Sequence, residues 1–303
     1  MTVPQGIVYS APVPDRGYAQ VRVLGPVSVT DGTRTIGVDR PLERAVLVRL
    51  ALAGGVPVPD RRLAADLWGD GELSRPVERL RVVVSRLRTA LGPYGATVLR
   101  TPAGYRTTMV AGDLLAAESI ADRMHAAQRA GRYTEAWAAA DEARRLWRGP
   151  ALADLLWAPY AAVEAARLDA WRLELTVAGL EAALRLGSGL ECLREMGILA
   201  GEHPLHEPLA RLHALALYRA GRQVDALDRL RGLRSTLAAQ FGAVIAPETV
   251  ELEVRILRHD PGLHPAPRAV KPSSPAHSTV RRIIRYRDVA TSAHRFRRPE
   301  PGF

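Results

Sequence analysis

Residues 74–92 read Ser74-Arg75-Pro76-Val77-Glu78-Arg79-Leu80-Arg81-Val82-Val83-Val84-Ser85-Arg86-Leu87-Arg88-Thr89-Ala90-Leu91-Gly92, and the fold follows from this stretch. Val77, Leu80, Val84, Leu87 and Leu91 recur at alternating steps of three and four, the spacing of one apolar helix face. The spacing predicts a helix over 75–91, with Ser74 as cap and Gly92-Pro93 as stop. Arg79, Arg81, Val82, Ser85, Arg86 and Arg88 then point largely away from the apolar stripe. A solvated arginine face and a DNA-contacting face both fit that pattern. A B-DNA major groove admits one helix, and Arg matches guanine O6 and N7 in bidentate fashion.

Upstream, Val21, Val23, Val27 and Val29 alternate, Asp31-Gly32 turns, and Ile36 and Val38 resume, so residues 20–38 read as strands. Leu42, Ala45, Val46, Leu50 and Ala53 then give a helix from about Pro41 that stops at Gly54-Gly55. Asp60 is the expected cap of a short second helix carrying Leu63, Ala64, Leu67 and Trp68. Downstream, residues 97–100 and 105–109 read as two strands joined by Thr101-Pro102-Ala103-Gly104. Strands, three helices and a hairpin make a winged helix-turn-helix with an N-terminal strand layer, over residues 20–110. Arg100, Thr101 and Arg106 lie on the hairpin, where a wing reaches the DNA backbone or the minor groove. Tyr105 is expected to pack inside.

Residues 111–258 read as helix throughout, broken at Gly131, Gly149-Pro150, Pro159, Gly187-Ser188-Gly189, Pro204, Pro208, Gly221 and Gly242. The text around Gly187 returns around Gly221, an offset of 34 residues and the tetratricopeptide period. A third copy surrounds Gly131, 56 residues before Gly187. Ala136, Cys192 and Ala226 fill one small-residue slot of the repeat, where paired helices approach closely. The fold class is therefore mainly α, a winged helix followed by an all-α helical-repeat domain. Residues 1–19 read as a disordered leader. Residues 259–303 read as a basic, mostly disordered tail, in which 279–286 can form a short basic helix when bound.

The chain has 303 residues and a formal net charge of +10. Of its 42 cationic residues only Lys271 is Lys, and Pro272 follows it, so no GxxxxGK[ST] phosphate loop exists. Residues 20–110 carry 14 Arg against 8 acids, residues 111–258 carry 18 against 20, and residues 259–303 carry 9 cations against 3 acids. Two basic segments thus flank a near-neutral middle, the pattern of a polyanion-binding module joined to a protein-binding one. Cys192 is the single cysteine, which rules out an internal disulfide and a zinc site built on several thiolates. No run of about 18 apolar residues or secretory leader is visible, so a cytoplasmic location without membrane contact is expected. His203, His206 and His213 do not form HExxH, and no catalytic constellation stands at a motif spacing, so no metal, cofactor or enzymatic activity is expected. Trp137, Trp147, Trp157 and Trp171 are expected in the core. The tail's Arg281, Arg282, Arg285 and Arg287 suit DNA phosphates, an anionic membrane or plain solvation.

Residues 40–106 resemble the OmpR-like DNA-binding half of the Streptomyces antibiotic regulatory protein family. The resemblance rests on Arg44-Ala45-Val46-Leu47, Leu63-Ala64-Ala65-Asp66-Leu67-Trp68-Gly69-Asp70, Val82-Val83-Val84-Ser85-Arg86-Leu87-Arg88-Thr89-Ala90-Leu91-Gly92 and Gly104-Tyr105-Arg106. Residues 111–258 resemble the bacterial transcriptional activator domain that follows in that family. There the matching text is Leu146-Trp147-Arg148-Gly149-Pro150-Ala151-Leu152-Ala153-Asp154, Glu164-Ala165-Ala166-Arg167-Leu168, Glu202-His203-Pro204-Leu205 and Leu217-Tyr218-Arg219-Ala220-Gly221-Arg222. The resemblance implies a sequence-specific transcription activator of secondary-metabolite genes. It would bind direct repeats in double-stranded DNA as a homodimer and recruit RNA polymerase through its sigma and alpha subunits.

The DNA-contact set would then be Arg44, Arg75, Arg79, Arg81, Val82, Ser85, Arg86, Arg88, Arg100, Thr101 and Arg106. The loop Gly69, Asp70, Gly71, Glu72, Leu73 and Ser74 would touch polymerase, with its acids facing a basic surface. Where the family has Asn-Thr-Leu-Gln this chain has Glu78-Arg79-Leu80-Arg81, and Val83 stands where the family has Tyr, which implies a different operator. Larger relatives append an ATPase, whereas here a basic tail follows and no nucleotide switch is expected. A helical-repeat adaptor whose winged helix does not read DNA is the rival reading.

Overall fold

The computed structural model describes residues 19–69, 71 and 74–264. The expected leader except Ala19, the tail from 265 onward with its arginine cluster, and Asp70, Glu72 and Leu73 lie outside the described residues.

β1 (Gln20–Arg22), β2 (Ser28–Thr30) and β3 (Thr35–Ile36) form an antiparallel sheet in that order, with Val21 opposite Val29 and Val29 opposite Ile36. Val21 and Val29 are buried, as the alternation requires. The Asp31 carboxylate closes the following turn by accepting from the amides of Arg34 and Thr33 and from the Thr33 hydroxyl. Those bonds, the Arg34 amide first, hold this carboxyl well below the usual carboxylate range.

α1 (Pro41–Leu52), α2 (Asp60–Trp68) and α3 (Pro76–Ala90) follow. A 3₁₀ turn over Gly92–Thr97 then leads to the hairpin of β4 (Val98–Thr101) and β5 (Gly104–Thr107). Asp66 ties α1 to α2, accepting from Arg49 Nε at 2.6 Å and Arg62 Nε at 2.8 Å. Three local expectations are corrected. Asp60 is the first residue of α2, after Pro59 at the cap position, and its carboxylate pairs with Arg100. Ser74 does not cap α3: Arg75 holds that position in the left-handed conformation, at φ 55° and ψ 56°, with no side-chain cap bond. The buried stripe of α3 is Leu80, Val83, Val84 and Leu87, continued by Leu91, while Val77 is only half-buried. Val83 enters because the stripe is wider than a strict 3–4 seam.

The remainder is helical: α4 (Gly112–Arg129), α5 (Tyr133–Arg144), α6 (Pro159–Arg185), α7 (Gly189–Glu202), α8 (Glu207–Arg219), α9 (Gln223–Phe241) and α10 (Pro247–Leu257). The three repeat copies fall on the turns α4–α5, α6–α7 and α8–α9. Each turn uses the same backbone closure: Arg132 N–H to Ala127 O, Ser188 N–H to Ala183 O and Arg222 N–H to Leu217 O, at 2.9, 3.0 and 2.9 Å. The glycine just before each donor has positive φ, 69° at Gly131, 81° at Gly187 and 77° at Gly221. That is the left-handed helix ending in which glycine carries no Cβ penalty. Ala136, Cys192 and Ala226 are all buried in the helix-pair contacts. Burial, reinforced by Glu195 and Glu191, pushes the Cys192 thiol up to about 11, so it packs as a small apolar group. The first repeat interval is long because the irregular segment 145–158 and the 27 residues of α6 lie within it.

That irregular segment joins the two halves. One cluster of buried side chains runs from Ala19 to Ala182, across strands, winged helix and first helical pairs. Val21 N–H donates to Val110 O, Arg148 N–H to Leu24 O and Leu152 N–H to Val23 O. Val27 N–H donates to the Asp154 carboxylate, and Tyr160 OH to Ala45 O at 2.7 Å. Burial pushes the Tyr160 phenol upward, so it remains a neutral donor. At the centre, Asp113 is 5% exposed and accepts from the amides of Val23, Leu24 and Leu114 at 2.9–3.0 Å. Arg148 Nη2 lies 3.6 Å from the same carboxylate.

Asp113→Ala strands the Val23 and Leu24 amides without an acceptor. It is expected to lower unfolding stability by about 3 kcal/mol in urea titrations, given about 1–3 kcal/mol per unmet buried group. A loss below about 1 kcal/mol would show that water replaces the carboxylate at no great cost.

Candidate nucleic-acid interface

The outer side of α3 is ordered by its own periodicity. Glu78, Val82, Ser85 and Thr89, spaced four, three and four apart, are exposed and form its central strip. Arg79 and Arg86, seven apart, lie along one flank, and Arg81 and Arg88 lie along the other. The Arg88 flank faces the hairpin: Arg88 Nε and Nη2 both donate to Val98 O, at 3.0 and 2.9 Å. The Arg86 flank faces the start of α1, where Arg86 lines a hollow of about 620 Å³ with Leu42, Trp68, Val83 and Trp157. Among the described residues, Arg75, Arg79, Arg81 and Arg86 are exposed and enter no ion pair.

The hairpin is fixed to the winged helix at its closed end. Tyr105 exchanges both backbone hydrogen bonds with Val58, at 2.7 and 3.0 Å, and its ring is buried. Gly104 has φ 136°, and a Cβ there would meet Val58 O at 2.1 Å, so this position requires glycine. Arg100 pairs with Asp60, which raises its affinity for the proton further, and its guanidinium lies 4.6 Å from the centre of the Tyr105 ring. Thr101 Oγ1 donates to Gly104 O at 3.0 Å across the turn. Arg106 is half-buried opposite Leu99.

The expected contact residues therefore divide into two groups. Arg75, Arg79, Arg81, Val82, Ser85 and Arg86 share one exposed surface, with Arg106 on the neighbouring hairpin. Arg88, Arg100 and Thr101 are engaged inside the winged helix. Arg44 is not on the α3 face. Its Nη1 lies 3.0 Å from Asp154, facing the helical half, and its Nε is buried without a partner. Of the loop expected to meet polymerase, only Gly69, Gly71 and Ser74 are described. Thr89 also lies on this surface, a step of four from Ser85, and its Oγ1 donates to Ser85 O at 3.2 Å. Trp147 is buried and packs on Trp171 with centroids 5.5 Å apart, and Trp137 packs partly buried against the core. Trp157, in contrast, is 47% exposed and not core, because it ends the irregular segment beside the hollow.

His206 Nδ1 accepts from Leu209 N–H at the start of α8, a capping role. Among the described residues no group of three metal-ligating side chains is present, and no helix is long and apolar enough to cross a membrane.

Residues 112–257 match the bacterial transcriptional activator domain. Regulatory protein AfsR of Streptomyces griseus is 36% identical over 81% of this chain and 26% of its own length. Regulatory protein DnrI of Streptomyces peucetius is 33% identical over 80% of this chain and 94% of its own length. The structure of Mycobacterium tuberculosis EmbR in complex with a low affinity phosphopeptide matches with a TM-score of 0.73 at 31% identity, covering 80% of this chain and 66% of that one. The chain spans about a quarter of the length of AfsR. A winged helix and helical repeats in the same order, matched along nearly the whole of DnrI, show that the chain belongs to the Streptomyces antibiotic regulatory protein family.

Proposed function

We propose that this chain is a sequence-specific DNA-binding transcription activator. The observation that carries the reading is the α3 face, with Arg79, Arg81 and Arg86, exposed and unpaired among the described residues, around the strip of Glu78, Val82, Ser85 and Thr89. A helix about 10–12 Å across fits a major groove about 12 Å wide. The strip then faces base edges, where Val82 suits a thymine methyl and Glu78 a cytosine amine. The flanking arginines take phosphates or guanines. Arg75 and Arg106 add cations at the helix start and on the wing. Arg88, Arg100, Thr101 and Arg44 hold the frame. The names of AfsR, DnrI and EmbR as regulators support the same reading.

On this reading the protein works in the cytoplasm, binds direct repeats as a homodimer and recruits RNA polymerase. The 69–74 loop, with sigma and alpha subunits as its partners, contributes to that step. Its genes are those of secondary metabolism. No catalytic step is assigned to it.

Binding of the full chain to a mixed-sequence duplex, followed by fluorescence anisotropy across a salt series, tests the face. Arg79→Ala, Arg81→Ala and Arg86→Ala are each expected to weaken binding. Each should also reduce the salt slope by about 0.9 with the fold intact. Unchanged affinity in all three would favour the adaptor whose winged helix does not read DNA.

Arg88→Ala should behave oppositely. Losing two hydrogen bonds from a charged group costs about 1–3 kcal/mol of stability. The salt slope should stay at the wild-type value, and a fall of about 0.9 would instead make Arg88 a phosphate contact.

A further inference from the structure

The polar cleft between α7, α8 and α9 lies in the helical half, and neither the DNA face nor the family match assigns it a role. Its volume is about 650 Å³. His213 from α8 and Arg229 from α9 line it, and His213 Nδ1 and Arg229 Nε are buried with no hydrogen-bond partner among the described residues. Both atoms lie beneath the cleft's surface and out of a ligand's reach, so what the cleft offers a ligand is the outer part of the Arg229 and Arg194 guanidinium groups and the His213 ring edge. Arg229 is held in place by Nη2, which reaches Ala200 O and Pro204 O at 3.3 Å each.

The charge in the cleft is uneven. Its two acids are engaged: Asp225 pairs with Arg222 at 2.6 Å, and Asp228 lies 3.7 Å from Arg231. Arg229 and Arg194 have no carboxylate partner among the described residues. Burial, then Arg229 and Arg222, hold the His213 imidazole below its ordinary range, so at neutral pH it is an uncharged hydrogen-bonding group. Leu193 and Leu217 supply an apolar wall, and Gly197 leaves room, since a Cβ there would lie 3.6 Å from His213 Nε2. We infer that this cleft binds a small organic oxyanion, its charged end against Arg229 and Arg194, its other end against Leu193 and Leu217, with His213 completing the contact. The inference is independent of DNA contact at α3.

The test uses the full chain with ¹³C-labelled histidine, titrated with butyrate and separately with inorganic phosphate, against chloride at equal ionic strength. The His213 ring signal is assigned as the one missing in His213→Gln. A saturable shift with butyrate is expected and makes the ligand a carboxylate; saturation by phosphate alone makes it a phosphoryl compound. Either response should weaken several-fold in Arg229→Met and in Arg194→Gln, the latter at an exposed position where folding is not at risk. No shift with either anion, or a shift retained in both variants, overturns the inference and leaves the cleft to water.

Discussion

The Asp113 carboxylate is the point on which the two halves of this protein depend. It sits in the first turn of α4, accepts the amides of Val23 and Leu24 from the N-terminal strand layer, and has Arg148 beside it. A buried carboxylate is costly unless its lone pairs are filled, and here backbone amides and the α4 terminus fill them. Because the donors come from a segment 89–90 residues earlier, the bond is also a topological one. It places the strand layer against the helical half, and the irregular 145–158 segment then adds Arg148, Leu152 and Asp154 to the same seam.

From that seam the orientation of α3 follows. Tyr160, at the start of α6, holds the backbone of α1 through Ala45 O, and Arg44 on α1 reaches Asp154. Leu80, Val83, Val84 and Leu87 seat α3 in the shared core. Its arginines are then sorted by position alone. Arg88, at the edge of the core, is captured by Val98 O, while Arg79, Arg81 and Arg86 remain in solvent without partners among the described residues. The α3 backbone is thus fixed by its core contacts, while these three long side chains keep their rotamer freedom in solvent. The helical repeats behave differently. Their cores pass from one helix pair to the next, and a cleft of partly unsatisfied groups is left between α7, α8 and α9.

Much of this was legible in the residues. The apolar period of α3, the Asp31-Gly32 and Gly104 turns and the glycines of the three repeat copies each encode a local backbone preference, and each lies where its chemistry directs. What local pattern does not carry is partner choice across the chain. Arg44, Arg88 and Arg100 have the same composition as Arg79 and Arg86, yet Asp154, Val98 O and Asp60 engage them. Nothing at short range distinguishes an arginine with a distant partner from one without. Trp157 makes the same point for burial, since its large apolar side chain lies beside a hollow and not within the core. Ser74 had the right chemistry for a cap, but the chain turned at Arg75 with a left-handed residue instead.

The central claim is that the α3 face reads base sequence as part of one braced unit. Selection of duplexes bound by the full chain from a random DNA pool, at about physiological salt where nonspecific binding is weak, tests it most directly. The account predicts recovery of a motif present as direct repeats about one helical turn, roughly 10–10.5 base pairs, apart. Recovery of no motif, with binding that disappears as salt rises, would contradict it and reduce the arginine face to electrostatic attraction.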